Sequence, residues 1–215
     1  MKAVLWDMDG TLVDTEPLWI EAEHDMARKY DAPWTHHDAM QLVGNNLVDS
    51  GRYMKERMGL EASPEEIVDE LLAGVLLKMT DVMPWRPGAL SLLASLSEAG
   101  IRCGLVTMSY TSFVAPILRH LPPETFRVVV TGDEVSRGKP HPEPYLTAAA
   151  ALGVPPEECV AIEDSSTGAR SAEAAGCLVL VVQHHVPVAE GPRRVFRDSL
   201  EGLTATDLAS LAPPG

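Results

Sequence analysis

Five short apolar runs, each closed by polar or turn-forming residues, set the rhythm of this chain. They fall at residues 3–6, 102–107, 127–131, 159–162 and 178–182. Runs this short read as buried strands, since a helix needs about ten residues or more. Helical patterns lie between the later runs, at 89–99, 111–121, 144–152 and 167–175. Gly100, Gly153 and Gly176 follow three of these helices and Pro122 follows the other, the residues expected where a helix must stop. Strands apolar on both faces, alternating with helices, predict a doubly wound parallel α/β sheet covered on both sides.

Residues 15–85 break that rhythm. They hold no comparable strand run and read as helices over 17–29, 36–42, 47–58 and 64–79. The last has a clear start: Ser63 can cap it, Pro64 suits its first turn, and Glu66 completes a capping box. Ile67, Leu71, Leu72, Val75, Leu76 and Met79 recur at helical spacing. The expected organisation is an α/β core of residues 1–14 and 86–215, with an all-helical cap domain, 15–85, inserted after the first strand.

The chemistry-bearing residues collect where strands end. The first run ends in Asp7-Met8-Asp9-Gly10-Thr11, the second in Thr107-Met108-Ser109. Gly138-Lys139-Pro140 follows the third, and the fourth ends in Glu163-Asp164-Ser165. Each has an ordinary explanation when taken alone: a turn, a helix cap, a solvated lysine, a second cap. A parallel sheet, however, puts all four ends on one side, where open α/β sheets bind ligands. Clustered carboxylates repel one another unless a cation joins them, and oxygen-only donors suit Mg²⁺. A hydroxyl, free amides and a lysine nearby can cradle a phosphate-sized anion.

Charge narrows the partners. Lys plus Arg number 17 against 31 Asp plus Glu, a formal charge of −14. Such a chain repels duplex nucleic acid and anionic membranes, whereas local cations still allow a small anionic substrate. The opening apolar run is interrupted by Asp7 and Asp9 and reads as neither signal peptide nor anchor. No apolar run approaches the roughly 18 residues of a membrane span. Cys103, Cys159 and Cys177 match no zinc spacing and read as small core residues in a reducing cytoplasm. His36-His37 and His184-His185 are adjacent pairs, which do not share a face, so neither reads as a metal site.

With these motifs in hand, nearly the whole chain resembles the haloacid dehalogenase superfamily, in its Mg²⁺-dependent phosphatase and β-phosphoglucomutase-like branch with a helical cap. The resemblance is carried by Asp7-Met8-Asp9-Gly10-Thr11-Leu12-Val13-Asp14, Val106-Thr107-Met108-Ser109, Gly138-Lys139-Pro140-His141-Pro142-Glu143-Pro144-Tyr145, and Ile162-Glu163-Asp164-Ser165-Ser166-Thr167-Gly168. It implies that Asp7 is the nucleophile and Asp9 the general acid/base. It implies Mg²⁺ held by the Asp7 side chain, the Asp9 main-chain carbonyl and Asp164, with Glu163 close by. Gly10, Thr107, Met108 and Lys139 are then the phosphate-binding set, with Thr107 and Lys139 also stabilising the transferring group.

Departures from the family sharpen this expectation. Met108 stands where many relatives have Asn, so only its amide can meet phosphate. Trp19 stands where β-phosphoglucomutases carry a cap histidine. After Gly44 the chain reads Asn45-Asn46-Leu47-Val48, with no arginine until Arg52, where those mutases grip a second phosphate. The presence of Asp9 separates the chain from the dehalogenases. Lys29 is the one early cap lysine and carries no mark of the phosphonate-cleaving branch. Glu16, Trp19, Gly44 and Asn45 are the cap residues expected to face substrate. The expectation is a monomeric, cytoplasmic, Mg²⁺-dependent phosphatase. It would hydrolyse a small phosphate monoester, a sugar or polyol phosphate, through an aspartyl-phosphate. The alternative is a β-phosphoglucomutase-like phosphotransferase.

Overall fold

The computed structural model describes residues 1–43, 45–79, 83–184 and 187–211. The described chain divides into two compact units, Met1–Asp14 with Trp85–Gly215, and Thr15–Pro84.

The first unit is built on a sheet of β1 (Ala3–Trp6), β2 (Arg102–Val106), β3 (Val128–Val130), β4 (Cys159–Glu163), β5 (Leu178–Val182) and β6 (Arg194–Arg197). All neighbours pair in parallel, in the order β3-β2-β1-β4-β5-β6. The order runs outward in one direction from β1 through β3, then in the other through β4 to β6. The reversal lies at β1 and β4, which pair from Ala3↔Cys159 to Trp6↔Ile162. That switch point is where a doubly wound sheet opens a crevice at its carboxyl edge.

Both faces of the central strands are covered, so β1, β4 and β5 are buried at every position. The helices of this unit are α5 (Ala89–Glu98), α6 (Thr111–Leu118), α7 (Glu143–Leu152), α8 (Ser166–Ala175) and α9 (Ala205–Leu211). On one face, Ala148, Ala149, Ala169 and Ala172 let α7 and α8 lie close against Ala3, Leu5, Ala161 and Val179. Helix α6 ends three residues before the sequence pattern suggests. Its last amides turn tightly, His120 to the carbonyl of Ile117 and Leu121 to that of Leu118, before Pro122.

Two elements lie beyond the apolar rhythm. Strand β6 has only Val195 and Phe196 between arginines, because an edge strand pairs on one side alone. Arg194, its first residue, pairs with Glu173 of α8 at 2.7 Å. Helix α9 buries Ala205 and Leu208, and a Thr204–Asp207 capping pair marks its start.

The second unit is helical: α1 (Glu16–Lys29), α2 (His36–Met40), α3 (Leu47–Met58) and α4 (Pro64–Lys78). Capping boxes at Thr35/Asp38 and Ser63/Glu66 start α2 and α4. Its core is Ala22, Met26, Met54, Ile67, Val68, Leu71 and Val75. Among the described residues, no helix is long and apolar enough to cross a membrane.

Candidate active site

Asp7 is the first residue beyond β1, and its amide extends the pairing by donating to the Ile162 carbonyl of β4 at 3.0 Å. The chain then doubles back: the Gly10 amide donates to the Val13 carbonyl at 2.8 Å and the Leu12 amide to that of Met8 at 2.8 Å. Gly10 makes this turn at φ +84°, and a Cβ there would run into the Asp164 carboxylate. Glycine is required for both the backbone region and the space.

Asp9 is reached from the end of β2. The Ser109 hydroxyl donates to its Oδ2 at 2.8 Å and the Thr107 hydroxyl does so at 3.3 Å. Thr107 also accepts the Ser109 amide at 3.0 Å. Neither hydroxyl caps α6, whose N-cap position is Tyr110. Two hydroxyls from one strand end therefore hold a carboxylate from the next strand.

Lys139 comes in from the loop after β3, with its side chain 5% exposed. Its ammonium donates to Asp7 Oδ1 at 2.6 Å, Glu163 Oε1 at 2.6 Å and the Val106 carbonyl at 3.0 Å. The Lys139 amide donates to Met108 Sδ at 3.2 Å. The Met108 side chain is thus occupied in tying the lysine loop to the end of β2. Glu163, the last residue of β4, is fully buried. Besides Lys139, it accepts the Tyr145 hydroxyl at Oε1, 2.6 Å, and the Ser165 hydroxyl at Oε2, 3.1 Å. Ser165 in turn caps α8 by accepting the Gly168 amide.

Carboxylate oxygens of Asp7, Glu163 and Asp164 lie within 4.8 Å of one another. Burial, then repulsion from Glu163, pushes Asp7 up to about 7 despite Lys139. Burial and the charges of Asp7 and Glu163 raise Asp164 well above the carboxylate range. Burial alone would drag Lys139 down, but Asp7 and Glu163 more than offset it and hold its ammonium above the usual value. Ionised together, three packed carboxylates against one ammonium would leave negative charge uncompensated. A small divalent cation with a preference for oxygen fits that donor set.

Asp7, Asp9, Gly10, Thr107, Lys139, Glu163 and Asp164 are thus drawn together by the ends of β1, β2 and β4 and the loop after β3. Glu16 and Trp19 are half-buried in the first turns of α1. Asn45 is exposed, with its side-chain amide donating to the Gln41 carbonyl at 2.8 Å. Gly44 lies outside the described residues. Ser109 and Tyr145 stand within the motifs quoted above, but the sequence assigns neither a role in the site beyond a helix cap for Ser109. Tyr145 did carry a signal: it sits on the buried face of α7, where a tyrosine hydroxyl must find a partner.

A family model described as haloacid dehalogenase-like hydrolase matches residues 1–176. The chain belongs to that family. This haloacid dehalogenase-like hydrolase is 33% identical over 220 residues to hexitol phosphatase B of Escherichia coli K12, covering 96% of each chain. It is 33% identical over 177 residues to a phosphorylated carbohydrates phosphatase of Thermotoga maritima, covering 82% of each. Its structure matches that of CbbY from Rhodobacter sphaeroides in complex with phosphate. The TM-score is 0.84 at 28% identity, over 97% of this chain and 99% of the other.

Proposed function

We propose that this hydrolase is a Mg²⁺-dependent phosphomonoesterase acting on a sugar or polyol phosphate through an aspartyl-phosphate at Asp7. The observation that carries the reading is the pairing of the Asp7 carboxylate with the Lys139 ammonium, beside an Asp9 carboxylate held by two hydroxyls.

Asp7 is the nucleophile. One of its carboxylate oxygens bonds to phosphorus as the ester P–O bond breaks. Asp9 gives its proton to the departing alkoxide. It then takes a proton from the water that attacks the aspartyl-phosphate, releasing inorganic phosphate and restoring the Asp7 carboxylate. Thr107 and Ser109 keep the Asp9 carboxylate turned toward this work. Lys139 stabilises the equatorial oxygens as charge spreads over them in transfer. The phosphate-binding set is completed by the amides near Gly10 and Met108. Asp7, Asp164 and the Asp9 carbonyl would hold Mg²⁺, with Glu163 close by. When bound, the ion supplies the charge that lets an anionic nucleophile meet an anionic phosphate.

The helical unit, Thr15–Pro84, is read as the cap that selects substrate, with Glu16, Trp19, Gly44 and Asn45 as the residues proposed to meet it. A hexitol, hexose or related phosphate is supported by the names of the two curated relatives. The mutase alternative is disfavoured by Trp19 and by Arg52, the first arginine after Gly44, which is paired with Asp49. A cytoplasmic monomer acting on a small anion, with no nucleic acid or membrane partner, accords with the charge of −14.

The test is phosphate release from a panel of hexitol, hexose and glycolate phosphates, with Mg²⁺ and with EDTA. The expected result is Mg²⁺-dependent release, greatest with hexitol or hexose phosphates. Folded protein that releases no phosphate from any of them overturns the reading. Glucose 6-phosphate formed from β-glucose 1-phosphate faster than free phosphate would favour the mutase instead.

A further inference from the structure

An ammonium has three N–H donors, and in Lys139 all three are engaged, by Val106, Glu163 and Asp7. The first two acceptors are parts of the frame: a strand carbonyl and a fully buried carboxylate. The third is the carboxylate of Asp7, and on the phosphatase reading this is the side from which the transferring phosphoryl group comes. The direction of that third N–H therefore depends on how firmly the other two are held, and Glu163 is the one on a rotatable side chain.

Glu163 is fixed from several sides. Its Oε1 accepts Tyr145 and Lys139, each at 2.6 Å, and its Oε2 accepts Ser165 at 3.1 Å. On another side the backbone of α8 closes in at Gly168, where an added Cβ would collide with the carboxylate. Tyr145 is itself fully buried. Its ring also lies 5.2 Å from the Lys139 ammonium. That contact survives in phenylalanine, so the hydroxyl alone can be tested.

We propose that the Tyr145 hydroxyl is a positioning group for Lys139, acting through Glu163 to aim the lysine at the transferring phosphoryl group. This rests on the phosphatase reading above. In this role Tyr145 does not touch substrate; it acts through Glu163. Its removal should act where Lys139 matters most, in the transition state, with little effect on ground-state binding or on the Mg²⁺ requirement.

The experiment compares wild type with Tyr145→Phe, using p-nitrophenyl phosphate and the best substrate of the panel. The expected result is a kcat lower by about tenfold, with KM and the half-saturating Mg²⁺ concentration each within about twofold. Calorimetric affinity for orthovanadate, a mimic of the transferring phosphoryl group, should fall in step with kcat, while affinity for inorganic phosphate should hold. A kcat within about twofold of wild type overturns the proposal. So does a loss in which KM, Mg²⁺ requirement and phosphate affinity worsen together, or a variant that fails to fold, since either would make the hydroxyl merely structural. Wild type without phosphatase activity overturns the underlying reading, and this proposal with it, before any variant is compared.

Discussion

The ammonium of Lys139 lies 2.6 Å from Asp7 Oδ1, a buried cation set directly on the nucleophilic carboxylate. The same nitrogen lies 2.6 Å from Glu163. Lys139→Ala would leave two buried carboxylates without their counter-charge. Removing one partner from such a buried group costs about 3–5 kcal/mol, so urea unfolding at neutral pH should show a loss of that order. Turnover should vanish. Lys139→Arg should not restore it, because a planar guanidinium cannot present three donors to the same three acceptors. An alanine variant as stable as wild type would mean the two carboxylates find other compensation.

Asp7→Asn tests the nucleophile and the strain of the site together. Turnover should fall by on the order of a thousandfold or more, because the amide oxygen is a poor nucleophile. Stability should not fall with it. Asp7 titrates near 7 in the folded chain against 3.8 ordinarily, so its proton favours the folded state. In the metal-free protein this contribution is full below about pH 4 and is lost as pH rises through 7. Asparagine removes that loss. Near pH 8 in EDTA the variant should therefore unfold at higher urea than wild type, and a lower midpoint would contradict the argument.

A divalent cation should act in the opposite sense. It binds the ionised carboxylates and must displace their protons. Added Mg²⁺ should raise the thermal midpoint little at pH 5.5, where Asp7 is protonated, and progressively more as pH rises through about 7. The same shift should disappear in Asp7→Asn combined with Asp164→Asn. A Mg²⁺ effect independent of pH would place the ion elsewhere.

Gly10→Ala should remove activity with only a local structural consequence. The position combines φ +84° with a Cβ site already filled by the Asp164 carboxylate. An alanine there must either leave its backbone region or push Asp164 aside. Strain of this kind costs about 1–3 kcal/mol. The loss of Mg²⁺ affinity, measured by calorimetry, should exceed the loss of stability.

The parts of the fold that were legible share a physical reason. Strands β1, β2, β4 and β5 are largely buried on both faces, so they appear as continuous apolar runs, and the polar residue that ends each one stands out. Asp7, Thr107 and Glu163 were readable in this way. Lys139 was readable through its flanking Gly138 and Pro140 and its place after β3. Strand β6 was not, because an edge strand flanked by Arg194 and Arg197 needs few apolar residues. Helix α9 is 7 residues long, too short for a clear helical period, and its local signal is the Thr204–Asp207 capping pair. The partnerships of Ser109 and Tyr145 were hidden for another reason. Ser109 meets Asp9 across 100 positions of chain, and Tyr145 meets Glu163 across 18. A hydroxyl's local context names a cap or a core position, and the partner that decides its role arrives only with the sheet order.

Glu23 offers a test of the helical unit on its own. It lies on α1, 3% exposed, with the Trp34 side chain beside its carboxyl. Burial first, and the charge of Glu16 two turns earlier second, push its carboxyl up from 4.5 to about 8. The folded value exceeds the unfolded one, so the protonated form favours folding. That contribution is full below about pH 4.5 and is lost as pH rises toward 8 and above. A shift of this size corresponds to on the order of 3–5 kcal/mol once the carboxyl is ionised in the folded chain. Glu23→Gln preserves the shape of the neutral acid and removes the ionisation. The variant should match wild type within about 1 kcal/mol at pH 5 and exceed it by several kcal/mol at pH 9, measured by urea unfolding at both. Glu16→Gln should give a smaller gain of the same sign, because it removes only the second cause. If the difference between Glu23→Gln and wild type is the same at pH 5 and pH 9, then Glu23 is ionised at both, and burial on α1 does not govern its charge.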